Sequence, residues 1–341
     1  MTYSVPFRLS VLDQSPVAEH WTAADAVRNT IDLAKTAERH GYHRYWLAEH
    51  HASISIVGVA PEALIGPVAL ATEHIRVGSG GIMLPHYSPF KIAETFRLLG
   101  AMAPGRIDLG LGRAPGSDQR TAYALQRDRS RRIPPDDFPQ AVAELLAYLS
   151  DTLPEDHPFA PLPKTLPDGT GGSPDPWLLG SSPDSARWAA ELGLPYCIAD
   201  FINAEAQPLA EVYRRNFRPS RWAAAPYLMV ACWALAGESR AEAEDLSLPS
   251  QASFAYFLRG TPIRVPGIEK ARALLRDNPP GRTMNRRLLL GDAAEVREQI
   301  ETVAALYGAQ EMMLVNIMHD HAKRRRSYEL IAESFMLETG P

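Results

Sequence analysis

The chain has 341 residues, 45% of them hydrophobic and 22% charged, and carries a formal net charge of −5. That composition suits a soluble globular protein with a large core, and the mildly acidic balance offers no basic footprint for nucleic acid or an anionic membrane. Cys197 and Cys232, the two cysteines, lie in apolar runs without a CxxC pair, which excludes a disulfide framework and reads as reduced core thiols. No apolar run is long enough to cross a bilayer and the first residues lack the pattern of a signal peptide, so a cytoplasmic enzyme is expected.

Strand-like and helix-like segments alternate along the chain. The first strand is expected over Val5 to Leu12, with a helix from Ala24 to His40 that Gly41 stops. A strand at Arg44 to Ala48 leads to a helix from Pro61 to Glu73, and one at Arg76 to Gly80 leads to a helix from Pro89 to Met102. The fourth strand, Arg106 to Gly112, is followed by a long basic loop to about Asp136 and a helix through Leu149. Residues 151–175 are rich in Pro, Gly and Asp and read as an inserted surface loop. Strands at Trp177 to Gly180 and Pro195 to Ala199 come next, each with a helix, from Pro183 to Leu192 and on to about Asn216. The seventh strand is Tyr227 to Leu235. After it come a helical stretch from Arg240, an irregular segment and a helix from Asp292 to Tyr307. The eighth strand, Met312 to Asn316, and a helix from Ala322 to Leu337 end the pattern. Eight such units in one domain favour a closed (β/α)8 barrel, with an open doubly wound sheet as the alternative.

In a barrel of this kind the chemistry sits where strands run into helices. The insertion at 151–175 precedes a strand and is expected on the opposite face. The first strand ends in Asp13-Gln14-Ser15, either facing the mouth or forming a capped turn. The second ends in Glu49-His50-His51. Adjacent residues of an extended chain point to opposite faces, so at most one histidine enters the mouth, where an imidazole suits proton transfer near neutral pH; a purely structural histidine is the alternative. The third ends in Ser79-Gly80-Gly81, bare backbone on which a flat ring can rest. The fourth ends in Gly-rich sequence with Arg113, Ala114 and Pro115; it is not a dinucleotide fingerprint, but a guanidinium there suits a phosphate or carboxylate. The loop beyond adds Arg120, Arg127, Arg129, Arg131 and Arg132, mostly solvated surface charges. Ser181, Ser182 and Ser185 open the helix after the fifth strand, either as an anion site or as a plain N-cap. His319-Asp320-His321 follows the last strand. Its spacing, with Glu49 and His50, raises a metal hydrolase as a weaker alternative, and no metal ligand is assigned.

The runs LSVLDQSPV, YWLAEHH, IRVGSGGIMLPHYSPFKIAE, PGRIDLGLGRAPG and LGSSPDSARWAAELGLP resemble the bacterial luciferase-like flavin monooxygenases, nearest a branch encoded beside biosynthetic genes. The resemblance implies reduced FMN delivered by a separate flavin reductase, a small-molecule substrate, dioxygen activated as a C4a-peroxyflavin, and a homodimer. It implies that His50 is the active-site histidine with Glu49 beside it. Gly80-Gly81 would be a cis peptide behind the flavin ring, and Arg113, Ser182 and Ser185 would lie at the FMN phosphate. A second phosphate arginine is expected in the basic loop, with Arg131 the position considered. Departures stand at Ser181, where luciferase has glutamate, and at Gly112, where it has a reactive cysteine. Phe201 matches only part of an aromatic set, so light emission from an aldehyde is not implied. Asp13, Gln14, Phe201 and His319 are the substrate-pocket candidates. Residues 247–290 are the candidate lid. A deazaflavin-dependent hydride transferase and a non-catalytic FMN-binding relative are the other readings.

Overall fold

In a computed structural model, which describes residues 7–114, 118–126, 128–130, 137–168, 172–277 and 286–338, the alternation becomes a wound barrel. Its elements are β1 (Arg8–Asp13), α1 (Ala23–Arg39), β2 (Arg44–Leu47), α2 (Pro61–Leu70), β3 (Arg76–Met83), α3 (Pro89–Met102) and β4 (Ile107–Gly112). Then follow α4 (Gln119–Leu125), α5 (Phe138–Ser150), β5 (Asp175–Gly180), α6 (Pro183–Glu191), β6 (Tyr196–Ala199), α7 (Pro208–Asn216) and β7 (Leu228–Ala236). The last are α8 (Arg240–Leu258), α9 (Ile268–Asp277), β8 (Leu288–Gly291), α10 (Ala293–Tyr307), β9 (Glu311–Val315) and α11 (His321–Phe335). All strand pairs are parallel, and β6 pairing with β7 closes a barrel of β1 to β7 and β9. The open-sheet alternative is thereby set aside.

Two expectations change. β8 is a ninth strand, missed within the irregular segment because four residues ending in Gly carry no periodicity. It pairs with the end of β7, Trp233 to Ala236, beyond the stretch that pairs with β6. Most of 247–290 is also regular: α8 runs through Pro249 to Leu258, α9 follows, and 278–285 lies outside the described residues. The basic loop after β4 likewise holds α4, capped by Asp118.

Period-two alternation sorts the side chains into two cores. Leu9, Val11, Val77, Leu109 and Leu314 face the helices. Leu12, Trp46, Trp177, Met229 and Met313 fill the barrel interior. Both cysteines are buried free thiols, with burial pushing their pKa values up. Among the described residues no helix is long and apolar enough to cross a membrane.

The floor of the barrel is ionic. Arg44 Nη1 donates to Asp108 at 2.8 Å and its Nε to Glu311 at 3.0 Å, and all three side chains are buried. Arg76 Nε (2.9 Å) and Trp46 Nε1 (2.9 Å) complete Asp108, while Ser10 and Tyr227 donate to Glu311. The Arg44 guanidinium lies 4.7 Å from the Trp177 ring centre, so an aromatic layer sits directly on the ions. Burial opposes ionisation of Asp108, but Arg44 and Arg76 overcome it and hold the carboxyl below its ordinary value of 3.8. Its contribution is complete above that value and is lost as pH falls through the lower folded one. Asp108→Asn should cost about 3–5 kcal/mol, because it removes the buried charge that two guanidinium groups share, leaving Arg44 with Glu311 alone and Arg76 with Asp175 alone. Urea unfolding checks this, and an unchanged midpoint would show that the floor does not depend on the pair.

Candidate active site

At the mouth, β2 delivers Glu49, His50 and His51. Trp46 and Ala48 both face the interior, and continuing that alternation puts His50 on the mouth side. Its backbone N–H donates to Gly58 O at 2.8 Å, which fixes the chain there. Glu49 points the other way and is fully buried. It accepts from Met83 N at 2.9 Å and Tyr87 Oη at 2.9 Å, and contacts His51 Nε2 at 2.8 Å. Glu49, expected to be catalytic, is thus buried and bonded so that it ties the end of β2 to the end of β3.

The β3–β4 wall carries little side chain. The peptide between Gly80 and Gly81 is cis, as the resemblance implied. Ser79 to Ile82 advances three residues while its partner β4 advances two, from Leu109 to Leu111, so β3 bulges here and runs on to Met83. A Cβ on Gly80 would stand 2.5 Å from Leu12 Cδ1, and one on Gly110 2.2 Å from Ser79 O. Ser79, expected to touch cofactor, is buried and donates its hydroxyl to Gly110 O at 2.9 Å. Its side chain seals the strand seam and only its backbone borders the mouth.

Adjacent strand ends bring a cation against the helix that follows β5. The Arg113 guanidinium, just after β4, lies 5.0 Å from the ring centre of Trp188 in α6, which follows β5. Ser182 caps α6, accepting from Ser185 N at 3.3 Å. The capping expectation thus holds: Ser182 N and Ser185 N are bonded within the capping box and Pro183 has no N–H, so the Asp184 N–H is the backbone donor of the first turn left to an anion, at the positive end of the helix dipole. Ser181 and Ser182 are half-buried beside it. Ser185 is buried and spends its hydroxyl on Ser182 O (2.7 Å) and Tyr196 Oη (2.8 Å), so it supports the turn from beneath rather than facing the mouth. Ala114 is exposed at the rim. Pro115, Arg127, Arg131 and Arg132 lie outside the described residues.

The substrate-pocket candidates divide. Asp13 belongs to the helix-facing side of β1, where it accepts from Arg324 (2.8 Å), Tyr45 (2.6 Å) and Ser15 N (2.7 Å). Burial would raise its pKa, but Arg324 and these donors hold it below the ordinary carboxylate value. Its part is the capped turn, which corrects the pocket assignment. Gln14 shares the inward parity of Leu12 and is buried. Phe201 packs on the interior core, 6.1 Å from the Trp233 ring. His319 lines a groove of about 610 Å³ with Trp21, Asp25 and Asn29, between α1 and the start of α11. Among the described residues no cluster of three or more His, Cys, Asp or Glu is placed to hold a metal.

Sequence reasoning missed three mouth residues. Trp233 continues the inward series Met229, Ala231 on β7, a signal that period two carries. Phe254 and Arg286 come from α8 and the residues before β8, where no pattern pointed inward; Arg286 Cζ stands 3.4 Å from the Phe254 ring centre and 5.9 Å from that of Trp233.

The chain matches the family described as "Luciferase-like monooxygenase" over residues 2–310. It is 40% identical to the "Luciferase-like monooxygenase" of Escherichia coli strain K12, covering 94% of this chain and 95% of that protein. It is 37% identical to the "N-acetyl-S-alkylcysteine monooxygenase" of Bacillus subtilis strain 168, covering 96% and 98%. The crystal structure of apo-MsnO8 superposes with a TM-score of 0.87 at 36% identity, covering 98% of this chain and 99% of that one. By sequence, barrel and mouth alike, this chain belongs to the luciferase-like monooxygenase family.

Proposed function

We propose that the chain is an FMN-dependent monooxygenase. It takes reduced FMN from a separate reductase and uses dioxygen to oxidise a small organic substrate. The observation that carries this reading is the packing of Arg113 on α6, whose capped start follows β5, together with the side-chain-poor end of β3. A phosphate suits the first, since a guanidinium, the Asp184 N–H and the nearby serine hydroxyls all donate to an anion. A flat ring suits the second, because Gly80 and Gly81 present backbone alone. The donor set and the bare wall thus fit FMN.

When bound, reduced flavin supplies two electrons and activates dioxygen, one oxygen atom passing to the substrate and the other leaving as water. The protein's own residues have simpler tasks. Arg113, Ser181, Ser182 and the Asp184 N–H hold the phosphate, with Ser185 shaping the turn. Ser79 and Glu49 fix the two strand ends that border the ring. His50 holds or moves a proton at its imidazole on the mouth side. Phe201 and Trp233 exclude water from the pocket, which strengthens every charge interaction within it. The segment 247–290 contributes Phe254 and Arg286 to the wall, and a covering role for it belongs to the same reading.

The relative that acts on N-acetyl-S-alkylcysteine makes that class the first to assay as substrate. Placement in the biosynthetic-gene branch rests on the sequence runs alone. A homodimer is supported by Leu70, Leu98 and Met102, large apolar residues exposed on neighbouring α2 and α3. Sedimentation should give twice the chain mass, and a single-chain mass counts against the pairing.

The test is rapid mixing of the reduced-FMN complex with dioxygen, followed by flavin absorbance. Oxidised flavin should return at least about tenfold more slowly than from free reduced FMN, and a trace matching free flavin would remove the oxygenase reading. His50→Ala should keep its FMN affinity within about twofold yet change that return at least about tenfold, the low end of a general acid–base contribution. An unaltered trace would make His50 structural.

A further inference from the structure

Opposite β3 in the barrel, the mouth carries a second set of polar atoms that the flavin reading does not use. The indole N–H of Trp233 is buried on the inner face of β7 and has no hydrogen-bond partner. The Nε of Arg286 is likewise buried and unpartnered. The Arg286 guanidinium is held by aromatic faces, 3.4 Å from the Phe254 ring centre and 5.9 Å from that of Trp233. Its sequence neighbour is paired: Arg287 donates to Asp200 Oδ2 at 3.2 Å and to Ala204 O at 2.8 Å. Asp200 also accepts from Tyr307 at 2.7 Å, so its carboxylate is spent. Among the described residues no carboxylate pairs with Arg286.

A buried donor without an acceptor costs free energy, and a buried cation without a counter-charge costs more. Two such donors side by side, with no acceptor between them, match a group that only accepts and carries negative charge. Burial alone lowers the Arg286 pKa to about 10, which leaves the group cationic at neutral pH. The aromatic faces of Phe254, Trp233 and Phe201 would receive an apolar or π-bearing body next to that charge.

We propose that Trp233 and Arg286 form an anion subsite that binds the carboxylate, or an equivalent anionic group, of the substrate across the mouth from the flavin wall. This deepens the monooxygenase reading and rests on it for calling the ligand a substrate. The subsite would orient an anionic organic molecule with its charged end toward β7 and β8 and its reacting end toward His50 and β3.

The test uses flavin-free full-length protein with 15N-labelled indoles. Trp233→Phe identifies the Trp233 resonance among the six tryptophans. Acetate and its neutral isostere acetamide are then titrated in low-salt buffer up to about 100 mM, a range that reveals even a bond of little more than 1 kcal/mol. Acetate should move the Trp233 resonance with at least about tenfold higher affinity than acetamide, and Arg286→Gln should abolish that preference. Equal response to the two probes, no response to acetate, or an undiminished preference in Arg286→Gln would each overturn the subsite. Because flavin is absent, a protein that bound acetate but no reduced FMN would lose the flavin reading and keep this one. A protein that bound reduced FMN but ignored acetate would do the reverse.

Discussion

The buried ion pair of Arg44 with Asp108 and Glu311 is the constraint on which the rest of the barrel depends. Charges in so closed a space persist only when each meets an opposite charge and donors fill the remaining lone pairs. Trp46, Arg76, Ser10 and Tyr227 supply those donors. The same atoms plug the barrel from below, and Trp177 seals them from above. Among the described residues the floor is thus filled, which leaves the mouth as the side that meets a ligand.

The mouth itself is divided by which residues each strand can afford to place there. β3 and β4 pack so closely that Gly81 and Gly110 admit no Cβ, Leu12 of β1 leaves no room for one on Gly80, and a flat surface results. β4 and β5 end in a cation and a helix start. β7 ends in an indole, beside which Arg286 lies. A phosphate-bearing ring and an anionic partner would therefore approach from opposite sides, with His50 between β1 and β3 at the second strand end. That division is chemical as well as spatial: bare backbone and anion donors on one side, aromatic faces and a lone guanidinium on the other.

Much of this was legible in the sequence because it follows from local rules. The helix at Pro89 to Met102 has the predicted limits, with proline at its first turn. The cis Gly80–Gly81 bond lies where the resemblance put it. What escaped depends on partners distant in sequence. Asp13 looked free at a strand end until Arg324, from the last helix, claimed it. Ser185 and Ser79 carry hydroxyls suited to a ligand, yet Tyr196 and Gly110 O satisfy them first. β8 is too short to show a period, and α8 passes through a proline that argues for its end. Arg286 stands in neither kind of pattern; only the fold brings it to Phe254.

The central claim is that the mouth binds reduced FMN through Arg113, and anaerobic titration of the protein with photoreduced FMN tests it most directly. The account predicts saturable binding to the wild type, and a loss of about 1–3 kcal/mol in Arg113→Ala, the worth of a charged hydrogen-bond pair. Equal affinity in the two proteins would remove Arg113 from the site. Absence of binding to the wild type would contradict the account as a whole and turn attention to the deazaflavin.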